Sequence, residues 1–163
     1  MDGYAPGHGS IMAGIICTTL KTVSRDGFEM ESKFLTDLDT RTVDDNLQKL
    51  LAPLKYQSKL LKRIIEVPKN FITDGASVPR VPVAYMLTGG RAKRAAAVHD
   101  YLYQTHLVRS RRQADLAFLE AMELDGVSLW CREVMYAGVR LGGRGSWASG
   151  PARYAALQRL QNP

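Results

Sequence analysis

The order of local signals along the chain predicts an α+β fold, a small N-terminal antiparallel sheet or set of hairpins followed by a bundle of three to four helices. Two observations carry this. Up to Phe71 the apolar residues alternate or are β-branched, whereas beyond the loop-rich stretch "ITDGASVPRVPVAYMLTGGR" almost every segment repeats its apolar residues at helical spacing. At 163 residues and 45% hydrophobic content the chain can bury one core but not two comfortable ones. A single domain over residues 1–163 is expected, with residues 1–10 as an extended arm, since Gly3, Pro6, Gly7 and Gly9 interrupt any regular element.

From Ile11, "IICTTLKTVSRDGFEMESKFLT" reads as two strands around Asp26-Gly27, a dipeptide that accepts the positive φ angles of a tight hairpin turn. Between Asp37 and Pro53, Val43, Leu47, Leu50 and Leu51 fall at helical spacing with Asp44 and Asp45 near the first turn, and a short helix or a loop insertion fits equally well. "LKYQSKLLKRIIEVP" is expected as a strand pair or one bent strand that Pro68 closes near a sheet edge. Helices are expected over Ala92–His106, Ser110–Leu124 and Ser128–Leu141, the third ended by "GGRG". A last short helix would begin after Pro151, where proline suits a first turn. Trp147 reads as an aromatic anchor in the packing.

The formal net charge is +6, from 22 basic and 16 acidic residues. Nucleic acid, an anionic membrane surface or an acidic protein would each feel that field, but no nucleic-acid-binding motif accompanies it. Cys17 and Cys131 lie too far apart for a metal knuckle and do not make a disulfide framework, so reduced thiols are expected. Asp2 stands where a secretory signal would carry a basic residue, and the following apolar run is short and broken by glycine. Synthesis and residence in a cytoplasm, with no transmembrane segment, are the expectation.

The chemistry-bearing stretch is "AAAVHDYLYQTHLVRSRRQADLAFLEAM". His99 sits beside the apolar stripe of its helix, with Tyr103 one turn on. The short link after His106 and the N-cap residue Ser110 favour an antiparallel second helix, and reflection through a turn near Val108 brings His99 opposite the residues around Ala117, where Asp115 is the inward residue nearest in register. A carboxylate on Nδ1 would orient the ring and leave Nε2 as a base. Asp100 points about 100° away, where its oxygens suit a divalent cation. A His–Asp pair can equally be a hydrogen-bonded fastener between two helices.

In the connector, Asp74, Ser77 and Arg80 are candidate binding residues that could complete a polar pocket, or simply satisfy the turn. Gly89-Gly90 could present backbone groups to an ion. Arginine near a helix N-terminus is unfavourable, so Arg109, Arg111 and Arg112 call for a partner. Asp115 or Glu120 within the fold, or an outside phosphate, would serve, and Arg111 is the binding candidate among the three.

The blocks "VPKNFITDGASVPR", "AAAVHDYLY", "SRRQADLAFLEAM" and "REVMYAGVRLGGRGSW", in that order, resemble a family of short phage and prophage proteins known as domain of unknown function thirteen fifty-three. The likeness covers residues 54–147 and implies phage origin, with no activity to carry over. Gly75 departs from that family's bulkier residue. At the level of one motif, His99, Asp100, Tyr103 and Asp115 also resemble the His-Asp helix and supporting aspartate of secreted phospholipases A2. That likeness implies His99 as general base, Asp100 as a calcium ligand, and Asp115 and Tyr103 as ring supports. The disulfides flanking that family's helix are missing here, and its glycine-rich calcium loop is at best approximated by "TGGR".

The leading expectation is a phage-encoded structural or accessory protein, made in the host cytoplasm and incorporated in a virion tail or baseplate, with other phage proteins or its own copies as partners. The alternative is a hydrolase using His99, with a divalent cation such as calcium as its possible cofactor. A small basic binder of a host protein or nucleic acid is the third reading.

Overall fold

The computed structural model describes residues 30–44, 47–73 and 91–159. Its strands are β1 (Lys33–Phe34), β2 (Thr40–Asp44), β3 (Leu47–Leu50), β4 (Leu54–Ser58), β5 (Arg63–Val67) and β6 (Ile72–Thr73). Four helices follow, α1 (Lys93–Thr105), α2 (Arg111–Leu124), α3 (Leu129–Gly142) and α4 (Arg144–Arg159). The protein is therefore α+β, with two small antiparallel sheets of order β1-β4-β5 and β2-β3-β6 ahead of the helices. Among the described residues no helix is long and apolar enough to cross a membrane.

The strand pair expected from Leu54 is β4 and β5, joined through a turn in which Lys62 takes a positive φ of 52°. Their registers place Tyr56 opposite Ile65 and Leu54 opposite Val67. The period-2 alternation turns Leu54, Tyr56, Ile65 and Val67 to one buried face. β5 is the sheet edge on which Pro68 was expected. The Asp26-Gly27 turn lies outside the described residues, and Lys33–Phe34, at the end of that stretch, is the strand that pairs with β4.

The segment from Asp37 to Pro53 is neither a helix nor a loop insertion but the hairpin β2–β3, with a register shift between Thr42 and Asp44. Pairing overrides the leucine spacing. β3 also hydrogen-bonds β6, and the amide of Leu50 donates to the Phe71 carbonyl at 2.9 Å. Thr40, Thr42 and Val43, being β-branched, favour the extended chain.

The helices pack their small and apolar faces on the sheets and on one another. Ala95, Val98 and Leu102 of α1, Ala114, Ala117, Phe118 and Met122 of α2, and Met135 and Val139 of α3 share one core with the buried face of β4 and β5. Burying each large side chain contributes about 1.5–3 kcal/mol. Ser110 caps α2 by accepting from the Gln113 amide at 3.3 Å. Asp125, just past the other end of α2, accepts from Arg94 Nε at 2.7 Å and from the Ala95 amide at 3.1 Å, so it caps the first turn of α1. Burial raises the Asp125 carboxyl above its usual value, against the pull of Arg94 and the Ala95 amide.

The C-terminal helix departs from expectation. "GGRG" interrupts the helical path only at Gly143, and α4 begins at Arg144, so Pro151 lies inside a helix rather than at its start. Proline supplies no amide to the carbonyl four residues earlier, that of Trp147. His106 fills the gap, its Nε2 lying 2.8 Å from the Trp147 carbonyl, and its ring stacks on the indole at 4.0 Å. The helix can therefore run through Pro151 without an orphaned acceptor. One residue earlier, a Cβ on Gly150 would lie 2.0 Å from the Tyr103 carbonyl oxygen, so glycine allows α4 to rest directly on the backbone of α1.

Candidate functional site

His99, Tyr103 and Asp115 meet where α1 and α2 run antiparallel. Asp115 Oδ1 lies 3.0 Å from His99 Nε2 and accepts from the Tyr103 hydroxyl at 2.5 Å. Its other oxygen accepts from Arg140 Nη1 at 2.7 Å, with Arg111 Nη1 3.8 Å away. His99 and Asp115 have no solvent exposure, while about a third of the Arg140 side chain is exposed, at 34%. The imidazole stacks on Phe118 at a centroid separation of 4.7 Å and tilts against Tyr103 at 4.2 Å.

The electrostatics settle which groups carry protons. Burial alone would push the Asp115 carboxyl up, but hydrogen bonds from His99, Tyr103 and Arg140 outweigh it and hold the group below its ordinary value. Asp115 is therefore a carboxylate that only accepts. The ring nitrogen facing it must carry a hydrogen, so in the neutral imidazole the lone pair sits on Nδ1. Burial, and then the Asp115 carboxylate, pushes the Tyr103 phenol well above its normal range, which keeps it a donor.

Two details differ from the sequence reading. The carboxylate grips Nε2 and not Nδ1, because the ring must reach across the gap between two helices and the nitrogen farther from Cβ makes that reach. The base position consequently moves to Nδ1, a buried atom with no hydrogen-bond partner among the described residues. Glu120, in turn, is not the partner of the α2 arginines. Arg111 donates to the carbonyls of Val139 and Arg140 at 2.9 and 3.0 Å. It thus meets the negative end of α3, which resolves its unfavourable place at the start of α2.

Glu120 instead gathers four donors from the sheet side. Ser32 Oγ and the Tyr56 hydroxyl lie at 2.5 Å, Ser58 Oγ at 2.6 Å and the Leu60 amide at 3.0 Å. This fastening between α2 and the β4–β5 sheet carries no sequence signal, since its donors come from four separate positions far upstream. Gly143 was likewise missed as more than a helix stop. A Cβ there would lie 2.6 Å from the Tyr103 hydroxyl, 2.5 Å from the Val139 carbonyl oxygen and 3.3 Å from Arg111 Nη1, so glycine leaves room for the Asp115 network.

Asp100 is buried and accepts from the Thr73 hydroxyl, on the side of α1 away from Asp115. Among the described residues no group of three or more His, Cys, Asp or Glu side chains gathers to hold a metal ion. The remaining candidates, Asp74, Ser77 and Arg80, and the Gly89-Gly90 pair lie outside the described residues.

The family described as Protein of unknown function (DUF1353) matches residues 48–139, a span that includes most of β3, all of β4 to β6, α1 and α2, and most of α3. No curated protein and no solved structure matches the chain.

Proposed function

The chain belongs to the DUF1353 family of proteins of unknown function, and from that premise we propose that it is a hydrolase in which His99 Nδ1 is the general base. One observation carries the reading. A buried ring nitrogen with a free lone pair costs about 1–3 kcal/mol when nothing satisfies it, yet the opposite nitrogen of the same ring is held by the Asp115 carboxylate, which a phenol and an arginine hold in turn. Such an arrangement fixes the tautomer and stabilises the imidazolium that forms when Nδ1 takes a proton. In ester hydrolysis the water oxygen would bond to the acyl carbon while its proton passes to Nδ1, and the imidazolium would return that proton to the leaving alkoxide. Asp115, Tyr103 and Arg140 are positioning residues in this scheme.

The test is hydrolysis of a panel of carboxylic and phospholipid esters, with and without added calcium, by the wild-type chain and His99→Gln. Loss of turnover in a folded His99→Gln protein is expected. Equal turnover in both would remove His99 from the chemistry.

Complete burial of His99 and Asp115 favours a second reading, in which the network only fastens α1, α2 and α3 in a phage-encoded structural or accessory protein. In that case His99→Gln would lower stability and alter no turnover, and the protein would be recovered from purified virions at a fixed copy number.

A further inference from the structure

α3 turns an apolar stripe away from the core. Trp130, Val134 and Leu141 are 64%, 41% and 87% exposed, and Ala137 between them is exposed as well. Their spacing of four, three and four residues keeps them on one face of the helix, in the a and d positions from which a seam can meet another helix. Leu129 widens the patch at its N-terminal end and is 65% exposed. Scattered surface leucines need no explanation, but a tryptophan aligned with two large aliphatic side chains marks a contact surface.

We propose that this face of α3 pairs with α3 of a second copy of the chain, antiparallel, across a two-fold axis near residues 135–136. Charge complementarity selects both the occupant and its direction. Glu133 and Arg140 are one heptad apart and so lie on the same flank of the stripe, and Glu133 has no ion-pair partner among the described residues. Antiparallel pairing sets like flanks against each other, so Glu133 of each copy meets Arg140 of the other, twice over by symmetry. Parallel pairing would set Glu133 against Gly138 and gain nothing. The antiparallel register also sets Trp130 against Leu141 and Val134 against Ala137, a large residue beside a smaller one in each layer.

Arg140 gives the interface a second consequence. Its Nη1 holds Asp115, while its side chain stays 34% exposed, and Glu133 of the other copy would meet it from the solvent side. Dimerisation would therefore steady the cation that holds the His99–Asp115 pair. The stripe spans roughly 16 Å at 1.5 Å per residue, which puts it at the small end of specific interfaces and predicts a micromolar dimer.

Sedimentation equilibrium of the full chain, from about 1 to about 500 µM, reads the mass-action shift directly. A monomer that becomes a dimer across this range is expected. Leu141→Glu should hold the protein monomeric throughout, and Glu133→Arg should weaken the dimer about tenfold, by roughly 1.4 kcal/mol, both with thermal unfolding unchanged at the lowest concentration, where the wild type is monomeric too and the two side chains are exposed in it. A wild-type monomer at the highest concentration overturns the proposal, including the case in which Trp130 is shielded from a soluble quencher by residues 1–29 or by another protein. A dimer untouched by Leu141→Glu places the interface elsewhere. A dimer lost in Leu141→Glu but unchanged in Glu133→Arg overturns the antiparallel pairing.

Discussion

Replacing Asp115 by Asn keeps the shape of the side chain and removes one acceptor, which makes it the sharpest probe of the network. The carboxylate now accepts on both sides, from His99 Nε2 and the Tyr103 hydroxyl at Oδ1 and from Arg140 at Oδ2. An amide can accept on only one. With its NH2 towards Arg140, two donors face each other across 2.7 Å and the cation loses its counter-charge. With the NH2 reversed, it meets the Tyr103 hydroxyl and His99, and the ring can respond only by moving its own hydrogen to Nδ1. The first arrangement loses one charge-assisted hydrogen bond, about 1.5–3 kcal/mol. Removing a buried ionic partner outright costs about 3–5 kcal/mol, but Arg140 is one-third exposed and water recovers part of that. The expected loss is about 2–4 kcal/mol in urea-induced unfolding at neutral pH, together with loss of turnover if the His99 reading holds. A change below about 0.5 kcal/mol would show that Asp115 is not engaged by its three donors, as it would then behave like an ordinary surface position.

Three further outcomes follow from the same geometry. Glu120→Ala strands the buried hydroxyls of Tyr56 and Ser58 and should cost about 2–6 kcal/mol, with a smaller loss in a Tyr56→Phe background, as a double-mutant cycle in urea would show. His106→Ala should cost about 1 kcal/mol by orphaning the Trp147 carbonyl, and the penalty should shrink in Pro151→Ala, which restores a helical amide to that carbonyl. Because the folded-state value of Asp115 is depressed, its stabilisation is present in full above the unfolded-state value of about 3.9 and fades as pH falls through the lower folded-state value. Asp125, raised by burial, titrates in the opposite sense at higher pH. Acid unfolding monitored by circular dichroism should therefore show a limb below about pH 3.9 that Asp115→Asn removes.

What the sequence disclosed depended on whether the deciding contact was local. The periodic runs of α1 and α2, the Ser110 cap and the short link between them are local, and they bring His99 to Asp115 with no other information. The choice of ring nitrogen is not local, since it depends on the gap between the two helices. The leucines before Pro53 fit a helix taken alone, and only the hydrogen bonds of β3 to both β2 and β6 decide for strands. Pro151 was misread because its missing amide is made good by His106, 45 residues earlier in the chain. The Glu120 fastening has the same character, with every donor at least 60 residues away.

The most direct measurement is the protonation pattern of the His99 ring by nitrogen-15 NMR of the folded protein at neutral pH, with Asp115→Asn as the reference. The account predicts a hydrogen on Nε2, coupled to the Asp115 side chain, and a bare, pyridine-like Nδ1. A hydrogen found on Nδ1, or an Nε2 signal indifferent to Asp115→Asn, would contradict it.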